Sequence, residues 1–258
     1  MSNMSSEKLN KDFVGSLEKG LKVICAFDKD NNELTLTDVA KLTDMTRATA
    51  RRFLKTLEVL GYVNSDGRLF SLSPKILELG FAYLTSEPIV NIVQTFIEQI
   101  SEQTGESSSV SVLDGNDIVY IARHSVNHIM SVSLNIGSRL PALSTSMGRV
   151  LTAYLPEQVK QEMLEQITFT AKTSKTITDA NILSVELDKI KQQGYCIVDR
   201  ELDNGLISIA VPLVNNQGKI VAAINIGASY TRMNNEKKLK EVITILKKAA
   251  SEIKLFLH

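Results

Sequence analysis

Apolar residues recur at three- and four-residue steps from Ser16, where Leu17, Leu21, Ile24, Cys25 and Phe27 predict a first helix. The polar run Asp28–Glu33 (DKDNNE) reads as a turn, and Leu36, Val39, Ala40 and Leu42 as a short second helix with Thr35 or Thr37 as its N-cap. Thr43-Asp44-Met45 breaks that pattern. Thr46 then caps a third helix whose inner stripe is Ala50, Phe53, Leu54, Leu57 and Leu60, ended by Gly61. YVNSDGRLFSLS alternates about Asp66-Gly67, a strong hairpin signal. Pro74 and Pro88 each open a further helix, the second running to Gly105.

From Ser107 the period changes to two. SSSVSVLD and DIVYIAR flank Gly115-Asn116 as a hairpin, and IMSVSLNI predicts a third strand. Helices follow at 144–153, 156–166 and 179–193, then strands at 195–200, 206–214 and 219–226, and a last helix at 236–256. Strands, helices and strands in blocks make this half α+β. The chain therefore divides into a polar tail (1–12), a helix-rich module with a hairpin (13–74), a joining helix (75–90) and a larger α+β module (91–258).

Composition narrows the functional classes. The chain of 258 residues carries 29 Lys+Arg against 29 Asp+Glu, which excludes a coat of charge for nucleic acid but leaves room for a local patch. An apolar share of 43% excludes general disorder. No apolar run approaches the ~20 residues of a membrane span, and the start MSNMSSEKLNKDF lacks the apolar core of a secretory signal. Cys25 and Cys196, far apart in apolar stretches, read as reduced core residues of a cytoplasmic protein. No phosphate loop, dinucleotide fingerprint or zinc spacing is present, so no cofactor or metal is expected.

One such local patch exists. Between Thr46 and Lys55 stand Arg47, Arg51, Arg52 and Lys55 with no acid, opposite the apolar stripe of the same helix. A helix with a cationic front, small polar residues at its start (Thr46, Thr49) and a short helix before it has what double-stranded DNA demands: cations for phosphates and a helix N-terminus for base edges. Arg47 is placed to grip guanine, and Arg68 at the hairpin tip to reach a phosphate or the minor groove. The plainer alternative is a solvated basic face.

The second half offers a different chemistry. Ser144, Thr145 and Ser146 begin a helix just after Pro141, an arrangement that suits a carboxylate, with Arg123 and Arg139 near enough in sequence pattern to add charge. Asp199-Arg200-Glu201 leads into the strand of Ser208, and Asn225 interrupts an apolar last strand. Each also has a plainer reading, as a cap, a surface arginine or a solvated loop. An enzyme acting on small acids would need a base beside the serines; His124, His128 and His258 stand near no nucleophile motif.

SLEKGLKVICAFD, LTLTDVAKLTDMTRATARRFLKTLEVLGYV and DGRLFSLSPKILELG, followed by IGSRLPALSTSMGRVLTAYLP, GYCIVDRELDNGLISIAVPL and GKIVAAINI, resemble the IclR family of bacterial transcriptional regulators over residues 13–256. TRATARRFLKTL and the FSLSP ending resemble its PcaU/PcaR/PobR branch, which controls catabolism of protocatechuate and para-hydroxybenzoate. The resemblance implies a winged helix-turn-helix followed by a GAF-like α/β effector-binding domain, a DNA operator, and a homodimer or tetramer with no membrane. It also implies effector contacts from Ser144, Thr145, Ser146 and Met147, from Asp199 and Glu201, from Ser208 and from Asn225. Leu143 departs from the family, where many relatives carry His. A carboxylate end (Ser144–Ser146 with Arg123) and a polar end (Asp199, Glu201, Ser208 or Asn225), separated by Met147, Leu206 and Ile224, suit a hydroxybenzoate, with activation as the output on branch resemblance. Exposed apolar residues such as Phe13, Val14, Leu79, Phe81 and Leu84 would join two copies. The alternative is a repressor sensing another small carboxylate, glyoxylate or a sugar acid.

Overall fold

The computed structural model describes residues 12–126, 134–166 and 170–257, which form two units, one ending at Tyr83 and the other beginning at Leu84. In the first, α1 (Gly15–Ile24) is followed by a two-residue strand, β1 (Leu34–Thr35), and α2 (Leu36–Leu42). Thr35 and Asp38 form a reciprocal capping box at α2: the Asp38 amide donates to Thr35 Oγ1 at 3.3 Å, and the Thr35 amide to Asp38 Oδ2 at 3.0 Å. These bonds hold the Asp38 carboxyl below its ordinary range, the Thr35 hydroxyl contributing most. Thr46 caps α3 (Arg47–Val59). β2 (Val63–Ser65) and β3 (Leu69–Leu72) then form the hairpin, and β1, too short to be read from periodicity, adds to the outer side of β3. At the hairpin tip Asp66 Oδ1 accepts the amides of Arg68 (2.8 Å) and Leu69 (2.7 Å) while Gly67 takes φ +97°. Val23, Val39, Ala50, Leu54, Leu57, Val63 and Phe70 close the core. Cys25, expected inside this core, is exposed at the end of α1.

α4 (Leu77–Ser86) spans the division between the units, and no residue of it is buried. The second unit continues with α5 (Pro88–Thr104), β4 (Ser107–Asp114), β5 (Asp117–His124) and a short β6 (Arg139–Pro141). The strand expected at IMSVSLNI lies largely outside the described residues; its described end, Leu134–Ile136, is not in a strand. Then come α6 (Ser146–Ala153), α7 (Glu157–Gln166), α8 (Ala180–Gln193), β7 (Cys196–Asp199), β8 (Leu206–Val214), β9 (Ile220–Ser229), the short α9 (Tyr230–Met233) and α10 (Glu236–Lys254). The strands form one antiparallel sheet in the order β6-β5-β4-β9-β8-β7.

The two faces of this sheet differ in residue size. Val110, Ile121, Ile207, Ile209, Val211, Ile224 and Ile226 face α5 and α10 in a dry aliphatic layer. The opposite face, under α6, is built at its centre from small side chains: Ser109 and Ser111 on β4, Ala223, Asn225 and Gly227 on β9, Ser208 and Ala210 on β8. Small residues there bring α6 close to the sheet. Every residue of α6 is buried, and a Cβ on Gly148 would lie 2.1 Å from the carbonyl oxygen of Ala142, so only glycine fits. Cys196 is buried in this layer, and burial pushes its thiol up to about 12. Among the described residues no single helix is long and apolar enough to cross a membrane.

Candidate functional site

On α3 the buried stripe Ala50, Leu54 and Leu57 leaves Thr46, Arg47, Arg51, Arg52 and Lys55 on the exposed side, with Thr49 partly covered. Thr46 Oγ1 accepts the amide of Thr49 at 3.2 Å and donates to Thr49 Oγ1 at 2.9 Å, so both hydroxyls help to cap the helix start. Arg47, Arg51, Arg52 and, at the hairpin tip, Arg68 are exposed; among the described residues Arg47, Arg51 and Arg52 face no acid, while Arg68 has the Asp66 carboxyl nearby. Lys55 differs from the expectation: its ammonium pairs with Glu58 at 2.6 Å, so part of its charge is already answered within the helix. Lys75 donates to the Leu60 carbonyl at 3.1 Å and lies over the Tyr62 ring, which makes it a cap of α3.

In the second unit a bulge at Val110/Ser111 shifts the register of β4 against β5. Strict alternation would put Tyr120 and Arg123 on opposite faces. The bulge instead pairs Tyr120 with Ser111 and Arg123 with Ser109, so both reach the small-residue face. Arg123 Nη1 donates to Ser109 Oγ at 3.0 Å and Nε to Ser125 Oγ at 3.0 Å. Burial holds the Arg123 guanidinium below its ordinary pKa, and burial pushes the Tyr120 phenol up while Arg123 pulls it down. Among the described residues no carboxylate faces Arg123.

Across this face Ser208 Oγ donates to Ser146 Oγ at 2.8 Å, and Ser111 Oγ donates to Met147 Sδ at 3.2 Å. The roof, Ser146 and Met147, is thus fastened to the floor. Ser146 and Ser208, expected at opposite ends, belong to one end. Arg123 lies three strands away on β5, roughly 14 Å across the sheet by backbone spacing, and not beside Ser146. Asn225 lies between these two ends, paired with Ser109 on one side and Ala210 on the other.

The other expected residues are placed elsewhere. Thr145 Oγ1 accepts the Gly148 amide at 3.0 Å and donates to the Ala142 carbonyl at 3.1 Å, so its hydroxyl is spent on capping α6. Asp199 pairs with Ile207 across β7 and β8, which puts it on the α5–α10 face, where its carboxylate is forked by Arg200 at 2.8 and 2.9 Å. Arg200, at φ +59°, lies 3.6 Å over the Tyr230 ring. Ile224 likewise faces the dry aliphatic layer. Glu201 is 7% exposed, and its oxygens take both ends of the Arg149 guanidinium (2.6 and 2.7 Å) and the amide of Ile177 (2.9 Å). Ser144 sits half-buried in the single turn before α6, and Arg139 is a surface residue bridging Asp114 and Asp117.

Sequence reasoning missed Ser109, Ser111 and Tyr120, although a strand with hydroxyls on one face and valines on the other signals a polar cavity wall. It also missed Arg149, 2% exposed, because an arginine inside an eight-residue helix looks like a surface residue until its partner is known.

Residues 16–67 match the family model described as the IclR helix-turn-helix domain, and residues 81–255 the one described as bacterial transcriptional regulator IclR C-terminal. The Pca regulon regulatory protein of Pseudomonas putida is 40% identical over 243 residues, 94% of this chain and 84% of that protein. The crystal structure of a transcriptional regulator from Rhodococcus sp. RHA1 is similar at TM-score 0.86 and 45% identity, over 95% of this chain and 98% of that one. The inducer-binding domain of the PobR transcription factor from Acinetobacter, a double mutant solved with 3-hydroxy benzoic acid, is similar at TM-score 0.60 and 32% identity over 64% of this chain and 96% of that domain.

Glu201→Ala leaves the Arg149 charge buried without its carboxylate and is expected to cost about 3–5 kcal/mol of stability. Arg139→Ala, at an exposed pair, is expected to cost about 0–1 kcal/mol. Urea denaturation of the two variants checks the contrast, and equal losses would contradict the structural role given to Glu201.

Proposed function

The chain belongs to the IclR family of bacterial transcriptional regulators, and from that membership and the geometry above we propose that it regulates aromatic-acid catabolism by binding a hydroxybenzoate such as para-hydroxybenzoate or protocatechuate. The observation that carries this reading is Arg123. Its guanidinium is part-buried on a face of small side chains and meets two serine hydroxyls but no carboxylate among the described residues. A positive charge held so calls for an anion, and a carboxylate supplies one. The Pca regulon protein and the PobR domain bound to a hydroxybenzoic acid, both relatives above 30% identity, support an aromatic acid. Activation is the output this reading favours on branch resemblance, exerted in the cytoplasm where the operator lies.

Binding of the acid is tested by calorimetry on the full chain. Wild type is expected to bind para-hydroxybenzoate or protocatechuate in the micromolar range. Arg123→Ala is expected to weaken binding by about ten- to one-hundred-fold, since a charged hydrogen bond contributes about 1.5–3 kcal/mol. Undiminished binding by this variant would refute the pocket.

DNA is read by α3 and the hairpin. Arg47→Ala is expected to lose sequence discrimination at a cost of about 1–3 kcal/mol, and Arg52→Ala to weaken all sequences alike and flatten the salt dependence. Gel shifts on matched and scrambled operators, at two salt concentrations, separate these outcomes. Native discrimination by the Arg47 variant would remove α3 from that role.

Two-fold operators call for two copies. Phe13 (45%), Val14 (59%), Leu17 (63%) and Leu79 (49%) are large exposed apolar residues of the first unit, on α1, α4 and the residues preceding α1. They, with Phe81, are the surface offered to a second copy, while Leu84 is half-covered already. Light scattering at micromolar concentration is expected to return at least the dimer mass; the monomer mass would contradict this.

A further inference from the structure

Among the described residues two besides glycine hold a left-handed backbone: Asp44, in the turn between α2 and α3, and Arg200, at φ +59°. Aspartate visits that region readily; arginine, without a short polar side chain to bond its own backbone, does not. Contacts from outside hold Arg200 there. Its amide donates to the Leu206 carbonyl at 2.8 Å, and its carbonyl accepts the Thr173 hydroxyl at 2.6 Å. Its guanidinium is forked by Asp199 and lies 3.6 Å over the Tyr230 ring. A backbone held in this way has an easier conformation to fall back on when one of its contacts is lost.

Arg200 also stands between two ion pairs. On one side its neighbour Glu201 forks Arg149, whose Nε holds the Leu143 carbonyl in the turn entering α6. On the other side Tyr230 opens α9, its amide donating to the Gly205 carbonyl at 2.7 Å. Two residues further on, Arg232 forks the buried Glu106 at 2.6 and 2.7 Å. Glu106 directly follows Gly105, the left-handed cap that ends α5. Contacts thus run without a gap from the α6 start to the end of α5, and α5 follows α4, the helix that spans the division between the units. The stack of Arg200 on Tyr230, with the Tyr230–Gly205 backbone bond beside it, joins the two halves of that series. We propose that this stack is a coupling element: it carries the state of the α6 roof, set by the acid bound beneath it, to the end of α5, with residue 200 as the two-state backbone. This rests on the hydroxybenzoate reading above and adds a route for its regulation. An acid that favours one position of the α6 start favours, through Arg149 and Glu201, one backbone at residue 200, and the coupling is reciprocal. Lying between two places does not establish a route, so coupling and not affinity is the quantity to measure.

Backbone hydrogen exchange is followed by mass spectrometry on the full chain, without acid and with saturating para-hydroxybenzoate or protocatechuate, whichever binds by calorimetry. In wild type the acid is expected to slow exchange by about threefold or more, both in peptides of α6 and in peptides at the end of α5. In Tyr230→Leu and in Arg200→Gly the α6 response is expected to persist and the α5 response to vanish. Glycine accepts the left-handed backbone, so Arg200→Gly removes the guanidinium while the turn still forms. Tyr230→Phe keeps the ring and is expected to keep both responses. A purely structural role for the stack would raise exchange in α5 with and without acid alike and leave the difference between them intact, which would overturn the proposal. A wild-type response confined to α6 would overturn it without any variant. Binding of neither acid by wild type would overturn the hydroxybenzoate reading itself, and this inference with it.

Discussion

The buried pair between Arg149 and Glu201 governs how the second unit is arranged beneath α6. A guanidinium at 2% exposure has lost nearly all its water, so every donor it carries must find an acceptor inside. Arg149 finds three: the Leu143 carbonyl at 2.8 Å through Nε, and the two oxygens of Glu201 through the fork. One side chain thereby fixes the turn entering α6 and the loop leaving β7. Glu201 extends the network, its carboxylate taking the Ile177 amide and its carbonyl the Thr176 hydroxyl at 2.6 Å. A pair of this kind adds little net stability over an apolar substitute, but it permits few alternatives. Its effect is positional: it holds the α6 start where Ser146 meets Ser208 and Met147 meets Ser111.

With the roof held, the asymmetry of the sheet becomes functional. The α5–α10 face is filled largely with valine and isoleucine. The α6 face gives up that volume, substituting serine, alanine, glycine and one asparagine. Each such exchange forfeits burial of several methylenes, at ~0.8 kcal/mol per CH₂, and the dense opposite layer offsets it. The β4–β5 bulge then brings an arginine onto the impoverished face. Backbone irregularity, residue size and charge thus converge on one place.

Much of this was legible in the sequence. The cap at Thr46, the turn at Asp66-Gly67 and the terminating Gly105 marked element ends because each acts through its own few neighbours. Arg123, Ser146, Ser208 and Asn225, singled out by residue type against local pattern, all lie on the α6 side of one sheet. What sequence did not disclose is relational. Which face Asp199 takes depends on its register with Ile207, and whether Arg123 is turned inward depends on one extra residue in β5. Glu201 and Arg149 are 52 positions apart, so neither predicts the other. The short β1 and β6 exist through their partners and carry no periodicity of their own.

The arginines of this chain sort by the company they keep, and that sorting separates scaffold from site. Arg149, Arg139, Arg200 and Arg232 each face a carboxylate within 3.2 Å, and their charge is consumed in holding elements together. Arg47, Arg51 and Arg52 in the first unit, and Arg123 in the second, face none among the described residues, and Arg68 has only the Asp66 carboxyl nearby, without a close ion pair. In the first unit the unanswered cations stay in water, where holding them ready for phosphate costs little. In the second the cation is drawn partly out of water, and burial already lowers its pKa. On the function proposed above, the same economy of unpaired charge serves two anions of different kind: a long polyanion met at the surface through exposed cations, and a small one that must enter far enough to reach Arg123. Affinity for the first falls with salt because released counterions drive it. On the same proposal, affinity for the second depends instead on how completely the ligand answers the buried groups it covers, since each one covered and left unpaired costs free energy.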